Sequence, residues 1–243
     1  MSERVTARRR GSYGIDAPFA PAFMAAMAAL EFSLAATNRR VLPVLAGVFI
    51  LAILGIYLHA TLRGKFVVWA ELLDELNLRG DERILDMGCG RGAVLLMAAQ
   101  HLTTGRAVGV DLWRSADQSG NSAEATRRNA EAEGVGDRVE LHDGDMTTLP
   151  FGDNSFDLVL SSLAVHNIRG RAGREKAVRE AVRVLRPGGR LLIADVRATR
   201  QYQAELARIG MNDVARRRLW RFWWGGPWAA TRLVTATKPE RQI

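Results

Sequence analysis

Ile84-Leu85-Asp86-Met87-Gly88-Cys89-Gly90-Arg91-Gly92 reads as the end of a strand, a glycine-rich turn and the entry to a helix. Arg83 to Met87 is an apolar run of strand length, and Ala93 to Ala99 is built from residues that favour helix. Glycine on alternate positions allows positive φ in the turn and lets a ligand come close to bare backbone. Asp86, at the strand end, can accept hydrogen bonds from a cationic or hydroxylated ligand. The turn is therefore a nucleotide-type cradle. Its spacing is not the Gly-x-Gly-x-x-Gly of dinucleotide folds, and it lacks the Lys-Ser/Thr pair of a phosphate-binding loop.

The chain beyond it alternates strand and helix. Arg106 to Val110 reads as a second strand ending in Asp111. An acid roughly 20 residues past the glycine turn is where a ribose-binding carboxylate belongs, since its oxygens accept from both hydroxyls. Val139 to Leu141 reads as the third strand, followed by His142-Asp143-Gly144-Asp145-Met146, and Phe156 to Ser161 as the fourth. Gly173 to Leu185 has helical periodicity, Arg186-Pro187-Gly188-Gly189 ends it, and Arg190 to Asp195 is the fifth strand. Gln201 to Ile209 is a short helix stopped by Gly210, and Asp213 to Phe222 with Ala230 to Thr237 reads as a hairpin.

Asp86-x-Gly88-x-Gly90-x-Gly92 resembles motif I of the class I S-adenosylmethionine (SAM)-dependent methyltransferases, and the later motifs recur in the family's order over roughly residues 80 to 240. Gly144-Asp145-x-x-x-Leu149-Pro150-Phe151 resembles the quinone-biosynthesis C-methyltransferases and their relatives, and Leu185-Arg186-Pro187-Gly188-Gly189-Arg190-Leu191 matches the same pattern. The resemblance implies an α/β, Rossmann-like fold with a seven-stranded, mostly parallel sheet and a C-terminal antiparallel hairpin. It implies SAM as cofactor, held at the turn by Asp86, Gly88, Cys89, Gly90, Arg91 and Gly92 and at the ribose by Asp111 with Leu112 beside it. Asp145 would accept from the adenine amino group, Met146 would offer its backbone N–H, and Ser162 would close the set at the exit of the fourth strand. Trp113 packs on the adenine or in the core. The polar stretch Arg114 to Gly120 departs from the family pattern, with the next helix expected from Asn121 and Glu124 completing a capping box. That loop either shapes the substrate pocket or is an ordinary surface loop.

Ser161-Ser162-Leu163-Ala164-Val165-His166-Asn167-Ile168 leads from the fourth strand toward the acceptor. It carries no Asn/Asp-Pro-Pro-aromatic motif of the amino-methylating nucleic-acid enzymes. Cys89, the single cysteine, sits in the glycine turn, which sets aside cytosine-C5 and arsenic methylation and leaves no disulfide. The four histidines show no metal-ligand spacing, so no metal is expected. His166 is the titratable group placed to take a proton from a hydroxyl or an activated carbon, or else it caps the strand.

Ahead of the catalytic region, Val41 to Leu62 runs without a formal charge and as a helix would be about 33 Å long, enough to cross a bilayer. Phe19 to Thr37 is uncharged except for Glu31 and is either a second span or an interfacial helix. The strongest run begins too far from the N-terminus for a signal peptide. Formal net charge is +8 in 243 residues, and Arg8, Arg9, Arg10, Arg39, Arg40, Arg63 and Lys65 flank these apolar stretches, which favours a membrane surface over nucleic acid. Two spans turning at Asn38-Arg39-Arg40 keep both outer basic flanks and the SAM-using domain on the cytoplasmic side. Tyr13-Gly14-Ile15-Asp16-Ala17-Pro18 resembles a motif that opens a group of bacterial methyltransferases with two N-terminal spans, and there Tyr13 and Asp16 would help close the active site. The chain is thus expected to divide into a basic tail with membrane-anchoring helices, 1–65, and a methyltransferase domain, 66–243. Anchoring through residues 19–62 at the cell membrane suits a small, lipid-soluble methyl acceptor. A SAM-binding module without turnover and an RNA methyltransferase are the alternatives. The aromatic cluster Trp220, Phe222, Trp223, Trp224 and Trp228 reads as hairpin packing or as an apolar contact surface.

Overall fold

The computed structural model describes residues 9–223 and 230–240. The aromatic cluster from Trp220 to Trp228 lies outside the described side chains. Seven strands, β1 (Arg83–Met87), β2 (Arg106–Asp111), β3 (Val139–Asp143), β4 (Phe156–Ser162), β5 (Leu185–Asp195), β6 (Asn212–Trp223) and β7 (Ala230–Thr237), form one sheet. Its order is β3-β2-β1-β4-β5-β7-β6. β1 pairs in parallel with β2 and β4, so its backbone is satisfied on both edges. β7 is antiparallel to β5 and β6, which is the expected hairpin. The chain winds outward from β1 to β3 and then returns to β4, and that reversal opens a crevice at the strand C-termini.

Side chains alternate across β1, so Ile84 and Leu85 enter opposite layers. On one face α3 (Lys65–Glu75) and α4 (Ala93–Ala99) bring Trp69, Leu73 and Leu95 against Ile84 and Leu160. On the other, α6 (Arg171–Val184) and α7 (Thr199–Arg208) bring Val178, Ala181 and Tyr202 against Leu85 and Val159. Between β2 and β3 runs α5 (Ala123–Ala132). It begins later than expected: Ser122 is the N-cap, its Oγ accepting from Ala125 N at 3.1 Å. Asn121 is diverted to Asp111, donating from Nδ2 to Oδ1 at 3.2 Å. β5 also starts earlier than expected. Leu185 already pairs with Phe156, and Gly188 and Gly189 are held by Lys238, so the Arg186–Gly189 stretch is drawn into the strand.

The N-terminal apolar stretches form α1 (Phe19–Asn38) and α2 (Val41–His59), joined by Arg39 at φ +47. At Gly47 an added Cβ would meet the Phe32 ring at 2.8 Å, so glycine sets how closely the two helices approach. Both are long and apolar enough to cross a membrane, with mean hydropathy 1.6 and 2.7. Leu42 is 75% exposed and Phe19 70%, unlike side chains of a core helix. A π-helical turn, Ala60–Gly64, carries α2 directly into α3, so Val41–Glu75 is one rod of 35 residues, about 52 Å long. The expected boundary after residue 65 falls inside that rod.

Leu85→Ala should lower stability by about 2–5 kcal/mol, because a fully buried side chain in the central strand leaves a cavity. The melting midpoint of detergent-solubilised protein reads it, and an unchanged midpoint would contradict the packing described.

Candidate active site

The C-terminal ends of β1, β2 and β4 open on a cavity of 740 Å³. The turn after β1 forms its floor. Gly88 has φ +74, and a Cβ there would lie 2.2 Å from Ala164 Cβ; Gly90 has φ +52 and faces Gln118 Oε1 at 2.5 Å. Neither position accepts a side chain, so the cavity meets bare backbone.

Asp111 braces this turn. Its Oδ2 accepts from Gly90 N at 2.8 Å and its Oδ1 from Trp113 N at 2.6 Å. Asp86 is 1% exposed and lines the cavity, and its Oδ1 is buried with no hydrogen-bond partner among the described residues. Burial, and then the nearby charge of Asp111, push its pKa up to about 7, against a smaller opposing pull from a backbone hydrogen bond at Leu95. Cys89 is also buried there. Desolvation first, then Asp86 and Asp111, hold its thiol well above the ordinary value, so it is a neutral packing group and no nucleophile.

The rest of the wall comes from three loops. Leu112 follows β2, Asp145 and Met146 follow β3, and Ser162 ends β4 with its Oγ accepting from buried Trp69 Nε1 at 2.9 Å. Asp145 Oδ1 accepts from Thr147 N at 2.7 Å, which shapes its loop. Trp113, at φ +55, donates from Nε1 to Asp143 and packs on the core.

Three of the expected residues are not in the cavity wall. Arg91 sends its guanidinium to Ser119 O at 3.0 Å, and Gly92 opens α4. His166 sits one residue before the wall residue Asn167, with Nδ1 2.6 Å from Asp195 Oδ1. Asp195 is fully buried and accepts from His166 N at 3.1 Å and from Tyr202 Oη at 3.1 Å, so it fixes the backbone at His166, while Nδ1 makes no aligned hydrogen bond among the described residues.

The wall also holds residues that no local pattern marks: Lys65 from α3, and Gln118 and Asn121 from the polar loop. Asp16 joins them from the N-terminal segment. Lys65 lies 49 positions from its partner Asp16, so only the folded chain reveals the pair.

Residues 85–193 match the family model of a methyltransferase domain. That segment, under half of the chain, is a methyltransferase domain by this match. The methyltransferase GfsG of Streptomyces halstedii is 36% identical over 126 residues, 52% of this chain and 42% of that protein. The ubiquinone/menaquinone biosynthesis C-methyltransferase UbiE of Dinoroseobacter shibae is 36% identical over 133 residues, 54% of this chain and 50% of that protein. The match thus spans half or less of these relatives' length. Among solved structures, geranyl diphosphate C-methyltransferase from Streptomyces coelicolor superposes with TM-score 0.56 over 70% of this chain and 76% of that one, at 17% identity. The cyclase SpnF gives 0.58 over 71% and 80%, at 21% identity. At these identities the methyltransferase fold is what is shared. A geranyl diphosphate methyltransferase among the solved structures, 18% identical, is a complex with SAM, and the cavity here fits such a group: a carboxylate oxygen of Asp86 and the amide oxygen of Asn121 are buried without hydrogen-bond partners among the described residues, and the acidic wall suits a sulfonium cation.

A cationic ligand favours ionised Asp86, so SAM binding should expel a proton below pH 7 and tighten as pH rises from 6 to 8. Isothermal titration across that range checks it, and Asp86→Asn should lose the added dependence. In the ligand-free protein the sign reverses. The folded carboxyl titrates near 7 and the unfolded one near 3.8, so the folded state holds the extra proton and stability falls as pH rises between them. Asp111→Ala should weaken SAM binding by about a hundredfold, since the brace on Gly90 N is lost together with the oxygens expected to accept from the ribose. Near-normal affinity would remove that role.

Proposed function

We propose that the protein transfers the methyl group of SAM to a small, lipid-soluble acceptor met at a membrane surface. One observation carries the reading. The same cavity is walled by the cofactor acids Asp86 and Asp111 and by Lys65 and Asp16, and the last two stand at the foot of an exposed apolar helical hairpin. Relatives named as quinone C-methyltransferases support an apolar acceptor. The hairpin spans the membrane with residues 1–18 and the catalytic domain on the cytoplasmic side and Arg39-Arg40 opposite, in the arrangement that leaves the larger basic flanks inside.

SAM supplies an electrophilic methyl on a sulfonium, and the residues of the chain bind, orient and deprotonate around it. Asp111 holds the ribose hydroxyls, Asp145 and Met146 the adenine edge, and Asp86 with Gly88, Cys89 and Gly90 the amino-acid end. The rigid turn fixes the direction from which the acceptor's lone pair must arrive, and in-line positioning alone supplies a large share of such an acceleration. The acceptor's proton passes to His166. Asp195 lies beside Nδ1 of that imidazole and holds its backbone N–H, which leaves Nε2 as the base in this reading.

The second reading, a SAM-binding module without turnover, draws support from the position of His166 behind the wall and from a cyclase sharing the fold. A tritiated-methyl transfer assay separates the two, using detergent-solubilised protein with organic and aqueous extracts of its own cells. Label in the organic fraction supports the proposal, label in water-soluble product removes the lipid acceptor, and binding without label favours the module. The protein should stay with the membrane fraction in the absence of detergent; recovery in the soluble fraction would end the anchoring claim. His166→Ala should reduce kcat by about 100-fold at saturating substrates, and an unchanged kcat would discard the base.

A further inference from the structure

Residues 11–17 cross the loop after β2 as a strap. Ile15 N donates to Ser119 Oγ at 2.8 Å, Ser119 N to Ile15 O at 3.0 Å, and Ala17 N to Asp117 O at 2.9 Å. At its centre Asp16 uses both carboxylate oxygens. Oδ2 accepts from Thr61 Oγ1 and from Lys65 Nζ, each at 2.7 Å, and Oδ1 accepts from Gln118 Nε2 at 2.8 Å. Gln118 Oε1 in turn accepts from Arg91 N, inside the glycine turn, at 2.7 Å. Asp16 O also accepts from Tyr57 Oη at 2.6 Å. An unbroken run of hydrogen bonds thus leads from the membrane-hairpin helix α2 to the backbone of the cofactor turn.

The rod is shaped for this junction. Tyr57, Thr61 and Lys65 are spaced four apart, and on a regular α-helix each step would drift by about 40° around the axis. The π-helical turn Ala60–Gly64 winds more slowly and takes back part of that drift, so all three side chains reach Asp16. The Lys65 and Asp16 side chains are 5% and 19% exposed, so removing either leaves a charge stranded in a poorly solvated place. Tyr57, Thr61, Lys65 and Asp16 all lie outside the matched segment 85–193, and Arg91, Gln118 and Ser119 lie inside it.

We propose that Asp16 is a positioning residue that ties the cofactor turn to the membrane hairpin, so that affinity for SAM depends on hairpin contacts outside the cavity. The inference rests on the reading that the glycine turn binds SAM. Asp16 holds Gln118, Gln118 holds Arg91 N, and the turn keeps its binding shape while the strap is closed. Loosening the strap from Tyr57, outside the cavity wall, raises the KM for SAM and leaves the acceptor's KM and the kcat at saturating SAM in place.

The test is SAM titration of the full-length protein in detergent micelles, with amide hydrogen exchange at Arg91. Asp16→Asn should weaken SAM binding about tenfold, the loss of one charge-assisted network, and speed exchange at Arg91. Tyr57→Phe removes only a hydroxyl from α2, outside the cavity wall, and should weaken SAM binding about threefold. Should Asp16→Asn fail to fold, Tyr57→Phe decides alone. Both variants binding SAM within about twofold of wild type, with Arg91 exchange unchanged while Asp111→Ala loses binding, would overturn the inference. Wild-type protein that binds no SAM would overturn the cofactor reading and this inference with it.

Discussion

Everything in the catalytic half depends on one steric constraint: the chain leaving β1 must pass where no side chain fits. Gly88 faces Ala164 Cβ at 2.2 Å from its notional Cβ, and Gly90 faces Gln118. Because the backbone is bare there, the loops after β2 and β4 can close to contact distance, and Asp111 can reach across to Gly90 N. A methyl group at Gly88 would force the turn and the loop after β4 apart, and one at Gly90 would push the Gln118 side chain off its partners. The sheet order places the turn at the reversal point, and the glycines turn that position into a ligand site.

Much of this was legible in the sequence because the deciding signals are local. A five-residue apolar strand, a glycine turn and an acid at the end of the next strand each announce themselves within a short window, and β1, β2 and β4 lie where the pattern places them. Boundaries shifted where a side chain had a distant engagement. Asn121 looked like a helix cap but is claimed by Asp111, so Ser122 takes its place. Arg186 to Gly189 looked like a helix stop, yet Lys238, some fifty residues on, draws it into β5. The site divides the same way. Asp86 and Asp111 could be found from local pattern and spacing and Asp145 from the family resemblance, whereas Lys65 and Gln118 matter through partners 49 and 102 positions away, and no window holds both ends. His166 was visible as a titratable group, but its placement behind Asn167 depends on the buried Asp195–Tyr202 pair.

The electrostatics of the cavity are those of a site waiting for a cation. Its wall gathers Asp16, Asp86, Asp111, Asp117 and Asp145, and the most buried of them, Asp86, carries a raised pKa because burial and then the charge of Asp111 disfavour its ionised form. Asp117 is shifted in the same direction, by burial and then by Asp111. In a chain whose overall charge is strongly positive, such a concentration of acids sets the cavity apart from the basic flanks of the hairpin.

The rod Val41–Glu75 has no flexible joint between its apolar part and its catalytic part. Lys65, on the cavity wall, follows Leu62, the end of the uncharged run, by about 5 Å of helix rise. If the hairpin is embedded, the domain cannot tumble away from the bilayer, and the cavity stays within a headgroup's depth of the lipid. A long-tailed acceptor could then present its reactive head while its tail remained in the membrane. The search for substrate would be confined to a plane, and the solubility of the acceptor in water would cease to limit the encounter.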